Sequence, residues 1–374
     1  MSEEQTHIAT INAGLLHEAL NRANRVAPSK GEAMDKAGGI QIQFTATEAH
    51  IRATDLEVTF YQKVPLEELT EECTIRVSSV VPGFVASLAM DKGQVIRFHR
   101  KGKQIVVQYQ KTRTKATVSQ IGGEFPRIPW YDYDEMTEAM ELSNKIASVA
   151  WCVESDEQGI LSGIKIDGSW LEALSSKNAA RIACEVEAKG DDPVIAVVKS
   201  LVPLIKSGSK PRMMTDTGRI IIALDEQAQV TSTTVMGAWP NIVSRLEAFD
   251  FPHSVTMRKS RMTDALKRVL SFVRNDRLPK VKLTFTADSV DVVLDATLNG
   301  DVQDSCAMIG RTGPEGRDGE EVSFVFQPSW LLESIETFPG ATVRIDFNNP
   351  MQPIRLSEPS TSYEAYVMPM NPNA

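Results

Sequence analysis

A three-fold internal repeat is the feature of this 374-residue sequence that most restricts its fold. An amphipathic helix is predicted to open each third of the chain, at about residues 12–25, 142–153 and 260–274. In each segment apolar residues recur with the 3.6-residue period of a helix that buries one face. A repeat of this kind predicts several similar domains, because each copy must bury the same apolar face.

A second unit follows each opening helix, and its predicted elements are a strand, a short helix, a strand, a turn and a strand, in that order. Its three copies begin at Thr74, Pro193 and Val322. Each short helix carries a proline, which a first helical turn tolerates because its amides lack helical partners. These prolines are Pro82, Pro203 and Pro328, and each copy then runs through an alternating strand to a further proline at Pro126, Pro240 or Pro369.

The same element order in all three copies predicts an α+β protein built from three repeated domains. Each domain is expected to pack two helices on antiparallel sheet, with boundaries at 1–127, 128–250 and 251–374. Free strand edges have to be paired or covered. Joining edges between domains, and then between two subunits, predicts a closed ring with helices on one side. The alternative is three unrelated α+β domains, which would not share element order, spacing and terminal prolines.

Composition narrows the class of protein. The four cysteines, Cys73, Cys152, Cys184 and Cys306, stand far apart and have no metal-ligand spacing, so neither zinc nor a disulfide framework is expected. No run approaches the roughly 18 apolar residues of a membrane span. The acidic start, Met1–Gln5, is unlike a signal peptide. We therefore expect an unprocessed cytoplasmic protein with no cofactor, no bound metal and no membrane partner.

Charge is unevenly distributed along a chain whose net charge is −9. Residues 65–72 and 131–141 are acidic, whereas 258–277 contains seven arginines and lysines against two aspartates. An acidic surface with one basic region favours a protein that accepts DNA at one place and repels it elsewhere.

Several short motifs resemble the bacterial DNA polymerase III β subunit, the sliding clamp family, and the resemblance extends over essentially the whole chain. The first domain carries Ala53–Glu57 and the junction Gly123–Pro126, and the second carries Leu161–Gly163 and Trp239–Asn241. The most specific match is Tyr366–Met370 near the C-terminus. The family's Thr-Asp-Gly-His-Arg-Leu stretch is matched here to Lys177–Ile182, and the chain continues past Met370 to Ala374. These two departures indicate a diverged member, of bacterial or phage origin.

The resemblance implies a homodimeric ring that encircles duplex DNA without reading its sequence and that lines its pore with helices. Basic helix residues would contact phosphates. The candidates for this DNA-facing role are Arg22, Arg25, Lys145, Lys199, Lys206, Arg261, Lys267, Arg268 and Arg274. For ring closure, the first domain of one subunit would meet the third domain of the other. The interface candidates are Val118, Phe272 and Val273.

The resemblance also implies a cleft that binds short peptide motifs of the DNA polymerase catalytic subunit, the clamp loader and other partners. The cleft residues of the family, transferred to the matching positions of this sequence, are Leu161, Arg181, Ile182, Pro240, Tyr366, Val367, Met368, Pro369 and Met370. Flexible methionines suit a surface that adapts to varied peptides.

Two other functions stay open at this point. A metal-dependent nuclease would need converging carboxylates, and Asp55 with Glu57 offers only a pair on one strand face. The usual nucleotide-binding and hydrolase motifs are absent from the sequence, so we predict that the protein is not an enzyme. The second alternative is a clamp-like scaffold that binds peptides but never encircles DNA. A trimeric ring of two-domain subunits is disfavoured by the three copies.

Overall fold

The described residues form two twelve-stranded sheets, and the chain divides into two structural units. Unit 1 comprises Met1–Ser143 with Ile195–Thr234, and unit 2 comprises Asn144–Val194 with Val235–Ala374. The structure is a computed structural model. It describes all residues except 1–4, 29–36, 89–92, 113, 140, 155–158, 185–193, 197–200, 206–209, 217, 236, 273–278, 298–299, 314–319, 358–360 and 372–374.

The strands are numbered in chain order. The first twelve are β1 Thr6–Asn12, β2 Ile40–Phe44, β3 Glu48–Thr54, β4 Val58–Leu69, β5 Cys73–Val77, β6 Val95–Lys101, β7 Gln104–Tyr109, β8 Lys115–Ser119, β9 Thr137–Glu138, β10 Gly163–Ile166, β11 Trp170–Leu174 and β12 Asn178–Ala183. The others are β13 Val194–Ala196, β14 Arg212–Asp216, β15 Arg219–Asp225, β16 Ala228–Thr233, β17 His253–Arg258, β18 Val281–Phe285, β19 Ser289–Thr297, β20 Gly300–Thr312, β21 Val322–Phe326, β22 Thr342–Phe347, β23 Ile354–Ser357 and β24 Glu364–Val367.

The α-helices of the described residues follow the predicted repeat. They are α1 Ala13–Val26, α2 Val80–Ala86, α3 Leu142–Val149, α4 Leu201–Ile205, α5 Val243–Glu247, α6 Lys259–Phe272 and α7 Pro328–Glu336. The three predicted opening helices are α1, α3 and α6, and the three short proline-containing helices are α2, α4 and α7. The second opening helix is shorter than predicted, because Ala150–Cys152 forms a 3-10 turn after Val149.

The strand order within the sheets confirms the repeat. Each copy contributes eight strands: β1–β8, β9–β16 and β17–β24. Across its sheet, the first copy has the order β8-β7-β6-β1-β4-β3-β2-β5, and the third has the order β24-β23-β22-β17-β20-β19-β18-β21. We rank the strands of each copy from one to eight along the chain. Both orders are 8-7-6-1-4-3-2-5. The middle copy gives 8-7-6-1 as β16-β15-β14-β9 in the first sheet and 4-3-2-5 as β12-β11-β10-β13 in the second. One supersecondary plan therefore accounts for the 24 strands of the described residues.

Backbone pairing between copies extends each sheet. In unit 1, the eighth strand of the middle copy, β16, pairs antiparallel with β4 over Val58–Gln62. In unit 2, β24 pairs antiparallel with β12, from Asn178 opposite Val367 to Arg181 opposite Glu364. The eighth strand of one copy thus covers the fourth strand of the preceding copy, which removes an otherwise exposed strand edge.

Helix α1 shows how the sequence pattern becomes packing. The Asn12 side chain accepts hydrogen bonds from the amides of Gly14 (3.0 Å) and Leu15 (3.2 Å), which caps the first turn. Leu16, Ala19, Leu20 and Ala23 are fully buried, and the helix packs on β3 and β4. Leu15, which the periodicity places on the same apolar face, is instead 41% exposed. A one-residue step turns a helical side chain by about 100°, enough to move Leu15 off the buried stripe.

Two connecting segments, the one between β8 and β9 and the one between α5 and β17, are attached to strands by cations that stack on aromatic rings. In unit 1, Arg76 stacks on Phe125 at 5.1 Å and Lys63 on Trp130 at 4.1 Å. In unit 2, Arg355 stacks on Phe251 at 5.2 Å. These contacts combine charge–quadrupole attraction with burial of the aliphatic stems. They hold the connecting segments against β4, β5 and β23.

We expect Phe98→Ala to lower the free energy of unfolding of unit 1 by about 3–5 kcal/mol, because it leaves a cavity in the core. Phe98 is fully buried, and its ring centroid lies 5.3 Å from that of Phe44. Urea unfolding followed by hydrogen exchange in β6 measures the change. Val80→Ala is the matched control, since Val80 is 60% exposed, and its expected effect is below about 0.5 kcal/mol. Equal effects of the two variants would contradict this description of the core.

Candidate functional site

A cavity of about 160 Å³ lies in unit 2 beside the turn that joins β11 to β12. The turn, the segment that leads into α5, and the end of β24 surround it. Its lining residues are Ser175, Ser176, Lys177, Asn178, Ala179, Ile242, Leu246, Tyr366 and Met368. All three surrounding segments belong to unit 2, and we call this cavity the unit 2 pocket.

Hydrogen bonds fix the turn that forms one wall of the pocket. The Ser175 amide donates to the Asn178 carbonyl at 2.9 Å, and the Asn178 amide donates to the Ser175 hydroxyl at 2.9 Å. The Glu154 carboxylate accepts hydrogen bonds from the Ser176 amide (2.7 Å) and from the Ser176 hydroxyl. The Met368 amide donates to the Lys177 carbonyl at 3.1 Å, which brings the end of β24 against the turn. The wall is therefore preformed.

The floor of the pocket is apolar. Leu174, Ala179, Val243, Leu246 and Tyr366 form a buried cluster. Partly buried hydrophobic residues pack around this cluster, namely Leu161, Trp239, Ile242 and Phe251. Preformed concave sites with apolar walls and a few polar groups are typical binding sites for small molecules and peptide side chains.

An exposed methionine and a lysine stand at the mouth of the pocket. Met368 is 38% exposed. The Lys177 ammonium lies 4.3 Å from the ring centroid of Trp330 on α7, so its charge is held over an aromatic face. The pocket thus offers an adaptable thioether and a positioned cation to any ligand that enters it.

Charged side chains lie on the sheet beside the pocket. Arg181 on β12 donates to Glu364 on β24 from Nε (2.9 Å) and from a terminal nitrogen (2.7 Å), and it also pairs with Glu247 on α5. Its guanidinium stacks on Trp170 at 4.4 Å. Burial lowers the pKa of Arg181, but its hydrogen bonds and charge pairing with the two glutamates outweigh burial and raise it.

Burial also shifts two groups next to Arg181. It raises the pKa of Tyr366 to about 12, and the nearby Glu364 charge acts in the same direction. It raises the pKa of Glu172, whose carboxylate accepts a hydrogen bond from the Trp239 indole at 3.1 Å. Glu172 lies directly opposite Arg181 across the β11–β12 pair.

The structure brings together part of the predicted cleft. Tyr366 and Met368 line the pocket, and Leu161 packs against its floor. The other predicted members lie on the same elements, but they are not among the lining residues: Arg181, Ile182, Pro240, Val367, Pro369 and Met370. Val367 is fully buried in β24, and the Met370 amide donates to the Val325 carbonyl at 2.7 Å.

The internal repeat explains which residues the sequence reasoning missed. In the first copy the Asp55 amide donates to the Val58 carbonyl at 3.1 Å, and in the second the Ser175 amide donates to the Asn178 carbonyl. Ser175–Asn178 is therefore the structural counterpart of Asp55–Val58. The predicted cleft instead used Arg181 as the match to the family's arginine. That match is displaced along the chain relative to the internal repeat, so residues 175–179 were left out of the predicted cleft. Alignment of the two copies within this chain would have revealed the shift.

The predicted DNA-facing residues of α6 that the structure describes, Arg261, Lys267 and Arg268, are exposed, and two of them are ion-paired. Lys267 lies 2.6 Å from Glu336, and Arg268 lies 2.6 Å from Asp304. Hydrogen bonds to these carboxylates raise the pKa of Lys267 and of Arg268. Surface ion pairs of this kind are weak, so the cations can exchange a carboxylate for a phosphate.

The other predicted DNA-facing residues differ in exposure. Arg25 is exposed and Lys145 is half-buried. Arg22 is 8% exposed, with its guanidinium 2.7 Å from Glu18, so we leave it out of the DNA surface proposed below. Lys199, Lys206 and Arg274 lie outside the described residues.

Of the predicted interface residues, Val118 is half-buried on β8, at the end of the strand order in its sheet. Phe272 is the last residue of α6 and is 41% exposed. Val273 lies outside the described residues. The helix α6 packs on β20, so Phe272 belongs to the same part of unit 2 as that strand.

Within the described ranges, no group of three or more histidine, cysteine, aspartate or glutamate side chains has a geometry suited to a metal ion. In the same part of the chain, no helix combines the length and apolarity needed to cross a bilayer.

We expect Glu172→Gln to raise the free energy of unfolding at pH 7.5 and to have a smaller effect at pH 4.5. Because the folded pKa of Glu172 is raised, this carboxyl binds its proton more tightly in the folded protein than in the unfolded chain, so the contribution of Glu172 to stability falls as pH rises through this range. Glutamine mimics the protonated group. Urea unfolding at both pH values measures the difference, with the exposed Glu67→Gln as control. A larger gain at pH 4.5 would refute the assigned shift.

Comparison with known proteins finds similarity to bacterial sliding clamps. Residues 250–371 match the family described as DNA polymerase III beta subunit, C-terminal domain. The beta sliding clamp of Treponema pallidum is 21% identical over 337 residues, which cover 86% of this chain and 88% of that protein.

Solved structures share the fold over nearly the whole chain. The DNA polymerase III β subunit of Thermotoga maritima aligns with a TM-score of 0.79 at 17% identity, covering 98% of this chain and 99% of that one. A sliding clamp of Pseudomonas aeruginosa bound to griselimycin aligns with a TM-score of 0.78 at 16% identity, covering 98% and 100%. Together with the repeated strand order and the matched C-terminal domain, these similarities show that the chain has the fold of the bacterial β sliding clamps.

Proposed function

We propose that this protein is a DNA polymerase processivity factor, a sliding clamp that closes around duplex DNA in the bacterial cytoplasm and tethers a polymerase. The observation that carries the proposal is the repeated pairing of an eighth strand with the fourth strand of the preceding copy, in a chain that is similar to beta sliding clamps over most of its length. Its action is topological and needs no catalytic residue or cofactor. The copies correspond to three proposed domains, 1–127, 128–250 and 251–374.

The same pairing rule predicts how the ring closes. After β16 covers β4 and β24 covers β12, the eighth strand β8 and the fourth strand β20 are left over. Strand β20 pairs with β17 only through residues 308–312, which leaves residues 300–306 as an edge on that side. A second copy can supply β8 to this edge, and a two-fold axis then repeats the contact.

Charge and shape support the pairing of β8 with a partner's β20. Lys115 is exposed on β8, whereas β20 carries Asp301 and Asp304 near its start. Opposite charges across neighbouring strands favour pairing. Val118 and Phe272 would add apolar contact at this junction.

DNA would be held by a set of weak phosphate contacts from Arg25, Lys145, Arg261, Lys267 and Arg268. Contacts of this kind are independent of sequence and sensitive to salt. Because the net charge of the chain is −9, attraction between DNA and the protein surface outside these helices would be weak. Weak, uniform contacts permit sliding, while ring closure prevents sideways escape.

The unit 2 pocket is the proposed docking site for short peptide segments of the polymerase, the clamp loader and other partners. Its apolar floor would take a hydrophobic side chain, and its exposed Met368 can adapt to ligands of different shape.

We expect a solution mass near twice 41.2 kDa by light scattering at micromolar concentration. Val118→Asp should give the 41.2 kDa monomer, because it places a carboxylate against the acidic β20 edge. The control Val80→Asp alters a valine that is 60% exposed on α2 and should leave the mass unchanged. A wild-type monomer would refute unaided ring closure, and a dimeric Val118→Asp variant would refute the β8 edge.

We expect wild-type protein to be retained on a linear duplex only when both DNA ends are blocked, for example by streptavidin on terminal biotin. Reversal of Arg261, Lys267 and Arg268 to glutamate should reduce the retained amount about tenfold at 50 mM salt, because phosphate contacts are lost. The matched control reverses the exposed Lys101, Lys103 and Lys210. Retention that survives the first triple reversal would refute the assigned phosphate contacts, and retention that does not depend on blocked ends would refute encirclement of the DNA.

A further inference from the structure

Arg181 is a central charged residue beside the unit 2 pocket, although it does not line the pocket. Its side chain is only 13% exposed. Its hydrogen bonds go to Glu364 on β24 and to Glu247 on α5, and Trp170 covers the face of its guanidinium. Both the strand and the helix that it joins contribute pocket residues, Tyr366 from β24 and Leu246 from α5.

Helix α5 depends on outside contacts for its position. It has five residues, Val243–Glu247, and a helix this short is unstable in isolation because nucleation outweighs propagation. Glu247 stands at its C-terminal end, where the helix dipole disfavours a negative charge. The cation of Arg181 offsets that charge and ties the helix end to the sheet.

Packing alone attaches the rest of α5. Val243 and Leu246 are buried in the cluster beneath the pocket, and Ile242 lies partly buried beside them. The exposed side of the helix carries Ser244 and Arg245. The Arg181–Glu247 pair is therefore a specific polar link between α5 and β12, and it sets the position of the pocket wall formed by Ile242 and Leu246.

We propose that Arg181 is a positioning residue for the unit 2 pocket: it fixes α5 against β12 and β24 so that the pocket is preformed, and it does not contact the ligand itself. This inference rests on the proposed peptide-docking function of the pocket. It revises the role that the family resemblance assigned to Arg181, that of a cleft residue.

The consequence for binding follows from preorganisation. A ligand that enters a preformed pocket does not have to order the wall, so less of its interaction free energy is lost. When Arg181 is removed, α5 opens more often, and only the fraction of molecules with the wall in place can bind.

The first measurement is hydrogen exchange of the α5 amides in the free protein. Arg181→Gln and Glu247→Gln should each speed exchange about tenfold, since each removes the same charge-assisted link. The double variant should show no further increase, because the two residues act through one interaction. Glu247→Gln leaves the Arg181–Glu364 pair in place, so it tests the link even if Arg181→Gln folds poorly.

The second measurement is the affinity for griselimycin, the compound bound in the Pseudomonas aeruginosa structure, by isothermal calorimetry. Both single variants and the double variant should raise Kd about tenfold. The matched control is Arg100→Gln, which breaks the partly exposed 2.7 Å pair with Glu71 in unit 1 and should leave both α5 exchange and Kd unchanged.

The outcomes separate the two proposals. Absence of saturable binding to wild type would count against the pocket as a docking site, while exchange in α5 would still decide the role of Arg181. Unchanged exchange in both single variants would overturn the positioning role. A loss of affinity from Arg181→Gln that persists undiminished in the Glu247→Gln background would show direct contact with the ligand and would also overturn it.

Discussion

Backbone pairing between successive copies is the interaction on which the rest of this structure depends. The pairs β4–β16 and β12–β24 convert separate sheets into extended ones and leave few strand edges uncovered. The second pair also creates the pocket, because it carries Tyr366 and Met368 to the turn at 175–178. Ring closure by β8 and a partner's β20 would be a third use of the same contact. The pairing of an eighth strand with a fourth strand thus connects successive copies, forms the unit 2 pocket and would form the proposed dimer.

The two junctions share a backbone and differ in their side chains. In unit 1 the Thr233 amide donates to the Glu57 carbonyl at 2.9 Å, which is the counterpart of the bond from Met368 to Lys177. The register that places Tyr366 opposite Ala179 places Thr231 opposite Thr59. Threonines therefore stand in unit 1 where unit 2 has an aromatic residue and a methionine. The apolar character of the pocket comes from these substitutions and not from the strand geometry.

The ion pairs on α6 differ from those beside the unit 2 pocket. Lys267 and Arg268 are exposed, yet each has a carboxylate within 2.6 Å. Such pairs exchange readily with solvent ions and contribute little to stability. Beside the pocket the arrangement is different, because Arg181 is largely buried and its two glutamates come from separate elements. A charged pair in that setting fixes geometry, whereas the pairs on α6 leave their cations available.

The sequence by itself determined the repeat, the α+β class and the helix positions. The 3.6-residue and two-residue periods of apolar residues are local properties, and they recur in each copy. The sequence also located Tyr366 and Met368, through a distinctive run of residues at the end of the last strand. Only the tertiary structure decided that Leu15 turns outward, that Arg22 is buried beside Glu18, and that residues 175–179 form the pocket wall. These outcomes depend on register between strands and on contacts between residues far apart in the chain, such as Arg181 with Glu364, which no local period encodes.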